Sequence, residues 1–138
     1  MFLLDTNHHK LFVAGDEAVV ARILRHERQV YLSSVAAEEF LVPFLNALNR
    51  AKSPRTSLSL SQAHTDFVEA ISDLTVLPLF PYDDSADAVY KTFSPTVIRV
   101  GSQDCRIAAQ AMAHGLTVVT RNLRDFERIG APCADWSV

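Results

Sequence analysis

The stretch that decides the fold is SQDCRIAAQAMAHGLTVVT, residues 102–120. SQDCRIAAQAMAHG predicts a helix that ends at Gly115, because glycine readily adopts the left-handed conformation found just past the last helical residue. LTVVT (116–120) then predicts a buried strand. A helix that leads directly into a strand is part of the alternation that defines an α/β domain.

The same alternation extends over the rest of the chain. Strands are predicted at FLL (2–4), QVYLSS (29–34), TVLPLF (75–80) and, at the sheet edge, within GAPCADWSV (130–138). Helices are predicted after a cap at Asp16, over 35–52, over 58–74 and over 84–93, and Pro43 is expected to kink or break the second of these. TFSPTVIRVGS (92–102) is expected to be a loop, and RNLRDFERI (121–129) is expected to be a turn or a short helix. Hairpin signals and repeats are absent, so we expect one α/β domain over 1–138 with a mostly parallel sheet of four to five strands.

Composition narrows the class of protein. The chain has 138 residues, of which 49% are hydrophobic and 21% charged, and its apolar runs are far too short to cross a bilayer. No basic segment precedes FLL, so no signal peptide is predicted, and the two cysteines have no metal or redox spacing. We therefore expect a reduced, cytoplasmic protein. The net charge of −3 argues against a general nucleic-acid binder, but a nuclease with an acidic metal site is an exception.

Acidic and amide side chains fall where the predicted strands end. Asp5 ends the first strand, and Glu39 lies just over one turn into the helix after the second strand. Asp104 lies in the first turn of the helix that precedes the fourth strand, and Asn122 and Asp125 lie just past the end of that strand. In a parallel sheet these positions share the ligand-binding edge. Converging carboxylates repel one another unless cations lie between them, and ligand sets made only of oxygen suit Mg²⁺ or Mn²⁺.

Each of these residues also has an ordinary structural explanation. Asp5 could cap a helix or turn, Glu39 could be a solvated charge like Glu38, and Asp104 could complement its helix dipole. Glu38 and Glu39 point about 100° apart, so only one of them can face the site, and the apolar neighbours of Glu39 favour that residue. Asp125 could pair with Arg121 or Arg128. His8 and His9 are expected to be solvated surface residues, with contact to a substrate phosphate as the alternative.

Five motifs resemble those of one protein family. They are LLDTN (3–7), YLSSVAAEEF (31–40), VLPLFPYDDSA (76–86), RVGSQDCRIAAQAMAHGLTVVTRNLRDFERI (99–129) and ADW (134–136). Their order and spacing are similar to those of PIN-domain ribonucleases, in particular VapC-like toxins of type II toxin–antitoxin pairs. The resemblance covers essentially the whole chain and implies a three-layer α/β/α fold with helices on both faces of the sheet.

The resemblance also implies an activity and a site. The expected activity is hydrolysis of tRNA, rRNA or mRNA with Mg²⁺, for which Mn²⁺ can substitute, leaving a 5′-phosphate and a 3′-hydroxyl. Asp5, Glu39 and Asp104 match the family's catalytic metal ligands, and Asp125 is a further candidate. Hydrogen bonds from Thr6, Asn7, Thr120 and Asn122 are expected to support them, and Arg99, Arg106, Arg121 and Arg124 are candidates for contact with RNA.

The chain departs from the family at one position of this site. The family often has its fourth acid two residues after the threonine that ends the fourth strand, and here that position is Asn122. Relatives are usually homodimers that a VapB-like antitoxin neutralises, so both partners are expected. The alternative is a catalytically silent PIN module that binds RNA or a protein.

Overall fold

A computed structural model describes all 138 residues. Five strands alternate with eight helices. The strands are β1 (Phe2–Leu4), β2 (Val30–Ser33), β3 (Leu79–Phe80), β4 (Thr117–Val119) and β5 (Cys133–Ala134). The helices are α1 (Thr6–Val13), α2 (Glu17–Arg25), α3 (Ser34–Ala51), α4 (Leu60–Leu74), α5 (Asp84–Tyr90), α6 (Pro95–Ile98), α7 (Ser102–His114) and α8 (Leu123–Ile129).

The strands form one parallel sheet in the order β3-β2-β1-β4-β5. β1 is central, since Phe2 pairs with Val30 on one side and with Thr117 on the other. This arrangement confirms the predicted α/β class and the predicted parallel sheet, with five strands. All carboxyl ends of the strands therefore meet at one edge, where α1 and α3 also begin.

Both faces of the sheet are covered by helices. Consecutive residues of the central strands, whose side chains point to opposite faces, are fully buried: Leu3 with Leu4, and Val118 with Val119. A strand that is apolar on both sides is typical of a parallel sheet between two helical layers. The core thus holds the ends of β1 and β4 rigidly. None of the helices combines the length and hydropathy that crossing a membrane would require.

The first helix begins earlier than the sequence indicated. α1 starts at Thr6, directly after β1, and Asp16 caps the second helix instead of the first. His8 and His9 lie on the inner side of α1 and are 0% and 1% exposed. The expectation that both are solvated surface residues was therefore wrong, because the tight turn at Asp5 directs the first turn of α1 into the molecule.

Three other elements differ from expectation. α3 is continuous through Pro43, which is exposed, so water can compensate for the hydrogen bond that proline lacks. β3 is only Leu79–Phe80, since prolines at 78 and 81 cannot donate to the ladder. The segment expected to be a loop contains α6, which Ser94 caps and Pro95 begins.

Candidate active site

Asp5 stands where β1 ends and α1 begins. Its Oδ1 accepts a hydrogen bond from the backbone N–H of His8 at 2.9 Å, so Asp5 is the N-cap of α1. The residue is 5% exposed, and its own N–H donates to the Val119 carbonyl of β4 at 3.1 Å. Its Oδ2 makes no hydrogen bond within the protein. Asp5 can therefore be both a helix cap and a metal ligand, because Oδ1 caps α1 while Oδ2 stays available to bind a metal ion.

Glu39 lies in the second turn of α3, on the half-buried side of the helix, whereas Glu38 is exposed. Burial raises the pKa of Glu39, and the negative charges of Asp104 and Asp5 raise it further. The Thr6 hydroxyl, which is buried and has no partner of good hydrogen-bond geometry, lies near enough to oppose this pKa shift. Of the two neighbouring glutamates, Glu39 is therefore the one that lies within electrostatic reach of Asp104 and Asp5.

Two polar side chains fix the start of α3 against α7. The Ser33 hydroxyl accepts from the N–H groups of Val35 and Ala36 and donates to Oε1 of Gln110, a fully buried residue of α7. The Gln110 amide also donates to the Phe80 carbonyl at the end of β3 at 2.9 Å. This network ties the helix that carries Glu39 to the helix that carries Asp104.

Asp104 lies in the first turn of α7, directly after Gly101. Gly101 has φ +157°, a conformation that glycine adopts most readily, and a Cβ at this position would lie 3.7 Å from Oδ2 of Asp104. Burial raises the pKa of Asp104, and so do the charges of Asp5 and Asp125. Asp104 is therefore electrostatically coupled to acids from both β1 and α8.

Asn122 connects two of the carboxylates. Its Nδ2 donates to Oδ2 of Asp125 at 2.6 Å and to Oδ2 of Asp104 at 3.4 Å. The Thr120 hydroxyl in turn accepts from the Asn122 backbone N–H at 2.9 Å. The Asn122 amide thus donates hydrogen bonds to two negatively charged carboxylates, whereas an acid at this position would add a third negative charge.

None of the four acids has an arginine or lysine as a partner, and only Asp5 lies beside a basic side chain, the imidazole of His8. The ion pairs of the molecule join His8 to Asp5 and Asp135, Lys91 to Asp87, and His114 to Asp83. Asp125 pairs with neither Arg121 nor Arg128, so that alternative does not hold. Glu39, Asp104 and Asp125 are likewise without a cationic neighbour.

The side chains suit a hard divalent cation in chemistry, but they do not form a closed cage. No group of three or more His, Cys, Asp and Glu residues surrounds one point closely enough to hold a metal ion. The donors are nevertheless all oxygen, the neighbouring acids raise the pKa of Glu39 and of Asp104, and no arginine or lysine neutralises the group. Such a set is stabilised when a cation draws it together.

The remaining predicted residues vary in position. Thr6 and Thr120 lie beside the acids, whereas Asn7 is exposed and its side chain makes no hydrogen bond. Arg99, Arg121 and Arg124 are exposed. Arg106 is half-buried, with its guanidinium carbon 4.8 Å from the centre of the Tyr90 ring and a hydrogen bond of 2.9 Å to Gln103.

Arg106 borders a cleft of about 600 Å³ that is lined by sequence neighbours of Glu39 and Asp104 but by none of the four acids. The cleft is also lined by Glu38 and Gln103, which are hydrogen-bonded to each other, and by Ser34, Val35 and Tyr82. Sequence reasoning missed this cleft and missed two residues that bear on the acids, Gln110 and His8. For His8, the signal was its position three residues after a capping aspartate, on the side of the helix that packs inward.

Comparison with known proteins gives consistent matches. A sequence model of one family, described as PIN domain, matches residues 2–132. Over 110 residues the chain is 29% identical to Ribonuclease VapC1 of Rickettsia felis, an alignment that covers 75% of this chain and 73% of that protein.

Two solved structures extend the comparison to three dimensions. A chain of DNA-bound VapBC from Salmonella typhimurium is 29% identical with a TM-score of 0.71, over 98% of this chain and 97% of that one. A chain of VapBC2 from Rickettsia felis, bound to a DNA fragment from its promoter, has a TM-score of 0.70 at 19% identity, over 98% of each chain. At 19% identity, the similarity to VapBC2 shows a shared fold and nothing more.

Proposed function

Because this chain belongs to the PIN domain family, as its motifs predicted, we propose that it is a Mg²⁺-dependent endoribonuclease. The observation that carries the proposal is the group of carboxylates at the carboxyl edge of the sheet. Asp5, Glu39 and Asp104 come from three separate parts of the fold and have no arginine or lysine partner, and burial together with neighbouring acids raises the pKa of Glu39 and of Asp104. Its similarity to Ribonuclease VapC1 supports RNA as the substrate.

Asp5, Glu39 and Asp104 would hold the cation, with Asp125 as a further ligand. Mg²⁺ is the proposed cofactor and Mn²⁺ an expected substitute, since both prefer oxygen ligands. When bound, a divalent cation offsets the charge of the phosphate and makes water more acidic. Asn122 and Thr120 would support this set, because Asn122 already donates to two of the acids.

The residues of the chain have distinct roles in the proposed hydrolysis. Glu39, whose pKa is raised by burial and by Asp104, is suited to accept the proton of the attacking water. The water oxygen attacks phosphorus, the bond from phosphorus to the 3′ oxygen breaks, and that oxygen takes up a proton. The products are a 5′-phosphate and a 3′-hydroxyl.

RNA would be held by few basic residues. Arg106 lines the cleft together with Glu38 and Gln103, the sequence neighbours of Glu39 and Asp104, and its stacking on Tyr90 fixes its position. Arg99, Arg121 and Arg124 are exposed and could contact backbone phosphates. With a net charge of −3, recognition would depend on the shape of the RNA more than on a long basic groove.

We further propose that the protein is a cytoplasmic toxin with a VapB-like antitoxin, and that it forms a homodimer. The structural neighbours include chains of VapBC complexes. Exposed apolar side chains on α3 and α4 provide surface for such contacts: Val42, Leu45, Leu60, Val68 and Ile71.

Cleavage of structured RNA by antitoxin-free protein tests the proposal. Wild type is expected to cut with Mg²⁺ or Mn²⁺ and to stop with a chelator, and Asp104→Asn should lose at least about 100-fold in rate. Asp84→Asn, which removes an exposed acid at the start of α5, is the matched control and should cut like wild type. Equal cleavage by Asp104→Asn and wild type would exclude this site.

The alternative is a catalytically silent PIN module that binds RNA or a protein. Asn122 in place of an acid and the lack of a closed ligand cage favour it. Titration of Mn²⁺ by calorimetry separates the two functions. Binding that Asp104→Asn abolishes supports the nuclease, whereas no binding by wild type supports the silent module.

A further inference from the structure

His8 is the buried residue that the proposed chemistry leaves unused. It is 0% exposed and lies in the first turn of α1 between two acids, Asp5 and Asp135. It also contacts Trp136, so it joins the proposed metal ligand at the end of β1 to the last residues of the chain. A fully buried imidazole in such a position needs a defined partner for each ring nitrogen.

The Nε2 atom of His8 acts as an acceptor. The backbone N–H of Trp136 donates to it at 3.2 Å. Asp135 Oδ1 lies 3.3 Å from the same nitrogen, but that oxygen already accepts from the N–H and the hydroxyl of Ser137 at 2.8 and 2.6 Å. A neutral imidazole has one donor and one acceptor nitrogen, so the proton belongs on Nδ1.

The Nδ1 atom then faces Asp5. It is buried, makes no hydrogen bond, and lies 3.6 Å from Asp5 Oδ1. This separation is a few tenths of an ångström beyond a hydrogen bond. Because burying an N–H without an acceptor is unfavourable, a small rotation that closes the gap is favourable.

The donor to Nε2 is itself fixed. Trp136 is 2% exposed, and its ring packs 4.8 Å from Phe2 and stacks 5.5 Å from His26 at an interplanar angle of 15°. The backbone N–H that faces His8 is therefore held by contacts with β1 and the end of α2.

We propose that His8 is a positioning residue for Asp5. Its Nδ1–H and its backbone N–H both hold Oδ1, which leaves Oδ2 available to the acidic site, and the Trp136 N–H selects the tautomer that makes this possible. Since the role serves the proposed metal site, it rests on the proposed function, but its geometry can be tested apart from it.

The tautomer is measured first, on metal-free full-length protein at neutral pH. Long-range ¹H–¹⁵N correlations of the histidine ring are expected to show His8 protonated at Nδ1 and bare at Nε2. A proton on Nε2, alone or in an imidazolium, overturns the proposal. This result does not depend on metal or RNA, so it is obtained even if the protein does not cleave RNA.

Two variants separate positioning from packing. His8→Asn places an amide N–H near the position of Nδ1, whereas His8→Gln places its amide near Nε2 and fills the space better. We expect His8→Asn to keep most of the Mn²⁺ affinity and kcat, and His8→Gln to lose about 10- to 100-fold in both. If His8→Gln equals or exceeds His8→Asn while both melt cooperatively, His8 is only a core residue and the proposal fails.

Discussion

At the scale of single residues, the acidic site is defined by charges that lie together without compensation. Glu39 and Glu38 are adjacent in sequence, but Glu38 is exposed, whereas Glu39 is half-buried, and burial and the charge of Asp104 raise the pKa of Glu39. A carboxylate in that environment destabilises the metal-free fold when it is ionised. The same environment makes it a good ligand or base.

A matched pair of variants follows from this difference. Glu39→Gln should lower RNA cleavage by at least about 100-fold and raise the Tm of the metal-free protein at pH 7. The gain in Tm should vanish near pH 4, because the penalty exists only as pH rises above the unfolded pKa of about 4.5. Glu38→Gln should change neither quantity. Loss of activity in both variants would contradict a special role for Glu39.

The residues that sequence reasoning missed share a physical cause. Asp5, Glu39 and Asp104 could be placed from strand ends and motif spacing, because those positions follow from the chain order of a parallel sheet. The environment of His8 depends on Trp136, which lies near the opposite end of the chain. The link from Asn122 to Asp104 and Asp125 likewise depends on side-chain rotamers. No local pattern encodes either contact.

At the scale of elements, Ser33 joins helix capping to the packing of two helices. It caps α3 and donates to the buried Gln110 of α7. Ser33→Ala should cost about 1 kcal/mol for the lost cap and about 1–3 kcal/mol for the unsatisfied Gln110 carbonyl. Ser59→Ala, which removes the exposed cap of α4 and an exposed hydrogen bond with the Ser61 hydroxyl, should cost about 1 kcal/mol. Urea denaturation of both variants measures the difference, and equal losses would exclude a stabilising role for the Gln110 contact.

His9 joins three helices and makes their packing sensitive to pH. Its Nε2 lies 3.2 Å from the Asp73 carbonyl of α4, and its ring meets Phe40 of α3 edge to face at 4.5 Å. Burial lowers the pKa of His9 and outweighs the opposing effect of Asp73. Below pH 6.5 the folded state therefore binds fewer protons at His9 than the unfolded state does. The free energy of unfolding is not reduced by this effect above pH 6.5, and it falls as the pH drops below 6.5 because the unfolded chain takes up a proton first.

The corresponding test uses two glutamine variants. His9→Gln retains a donor to the Asp73 carbonyl but does not titrate, so its free energy of unfolding should fall less than that of wild type between pH 7 and pH 5. His64→Gln, at an exposed position of α4, should follow the wild-type curve. Identical pH profiles for wild type and His9→Gln would show that His9 does not report on pH.

At the scale of the whole molecule, the proposed metal site predicts a coupling between ligand and stability. Mn²⁺ at 100 times its Kd should add about 2.7 kcal/mol to the free energy of unfolding, because only the folded chain brings Asp5, Glu39 and Asp104 together. Thermal melting with and without Mn²⁺ measures this effect, and a chelator should reverse it. Asp104→Asn should melt at the same temperature in both conditions; a shift equal to that of wild type would place the ion elsewhere.

The fold as a whole was more predictable than its local variations. Alternating strands and helices without hairpin turns indicated a parallel sheet, and the PIN-domain motifs indicated its layers. The early start of α1 was not indicated, because the His8–His9 pair looks polar until its partners Trp136, Asp73 and Phe40 are known. The shortness of β3 follows from its prolines but was underestimated.

The central place of β1 also bears on how the chain is made. Phe2 is synthesised well over 100 residues before Thr117, its partner in β4. At usual rates of translation the first strand must wait on the order of ten seconds for that neighbour. Asp104 and Asp125 flank Thr117 in sequence, so a nascent chain that has not reached them has no assembled acidic site. For the proposed ribonuclease, this order would keep Asp5 inactive on the ribosome until the segment that carries Asp104 and Asp125 has been made.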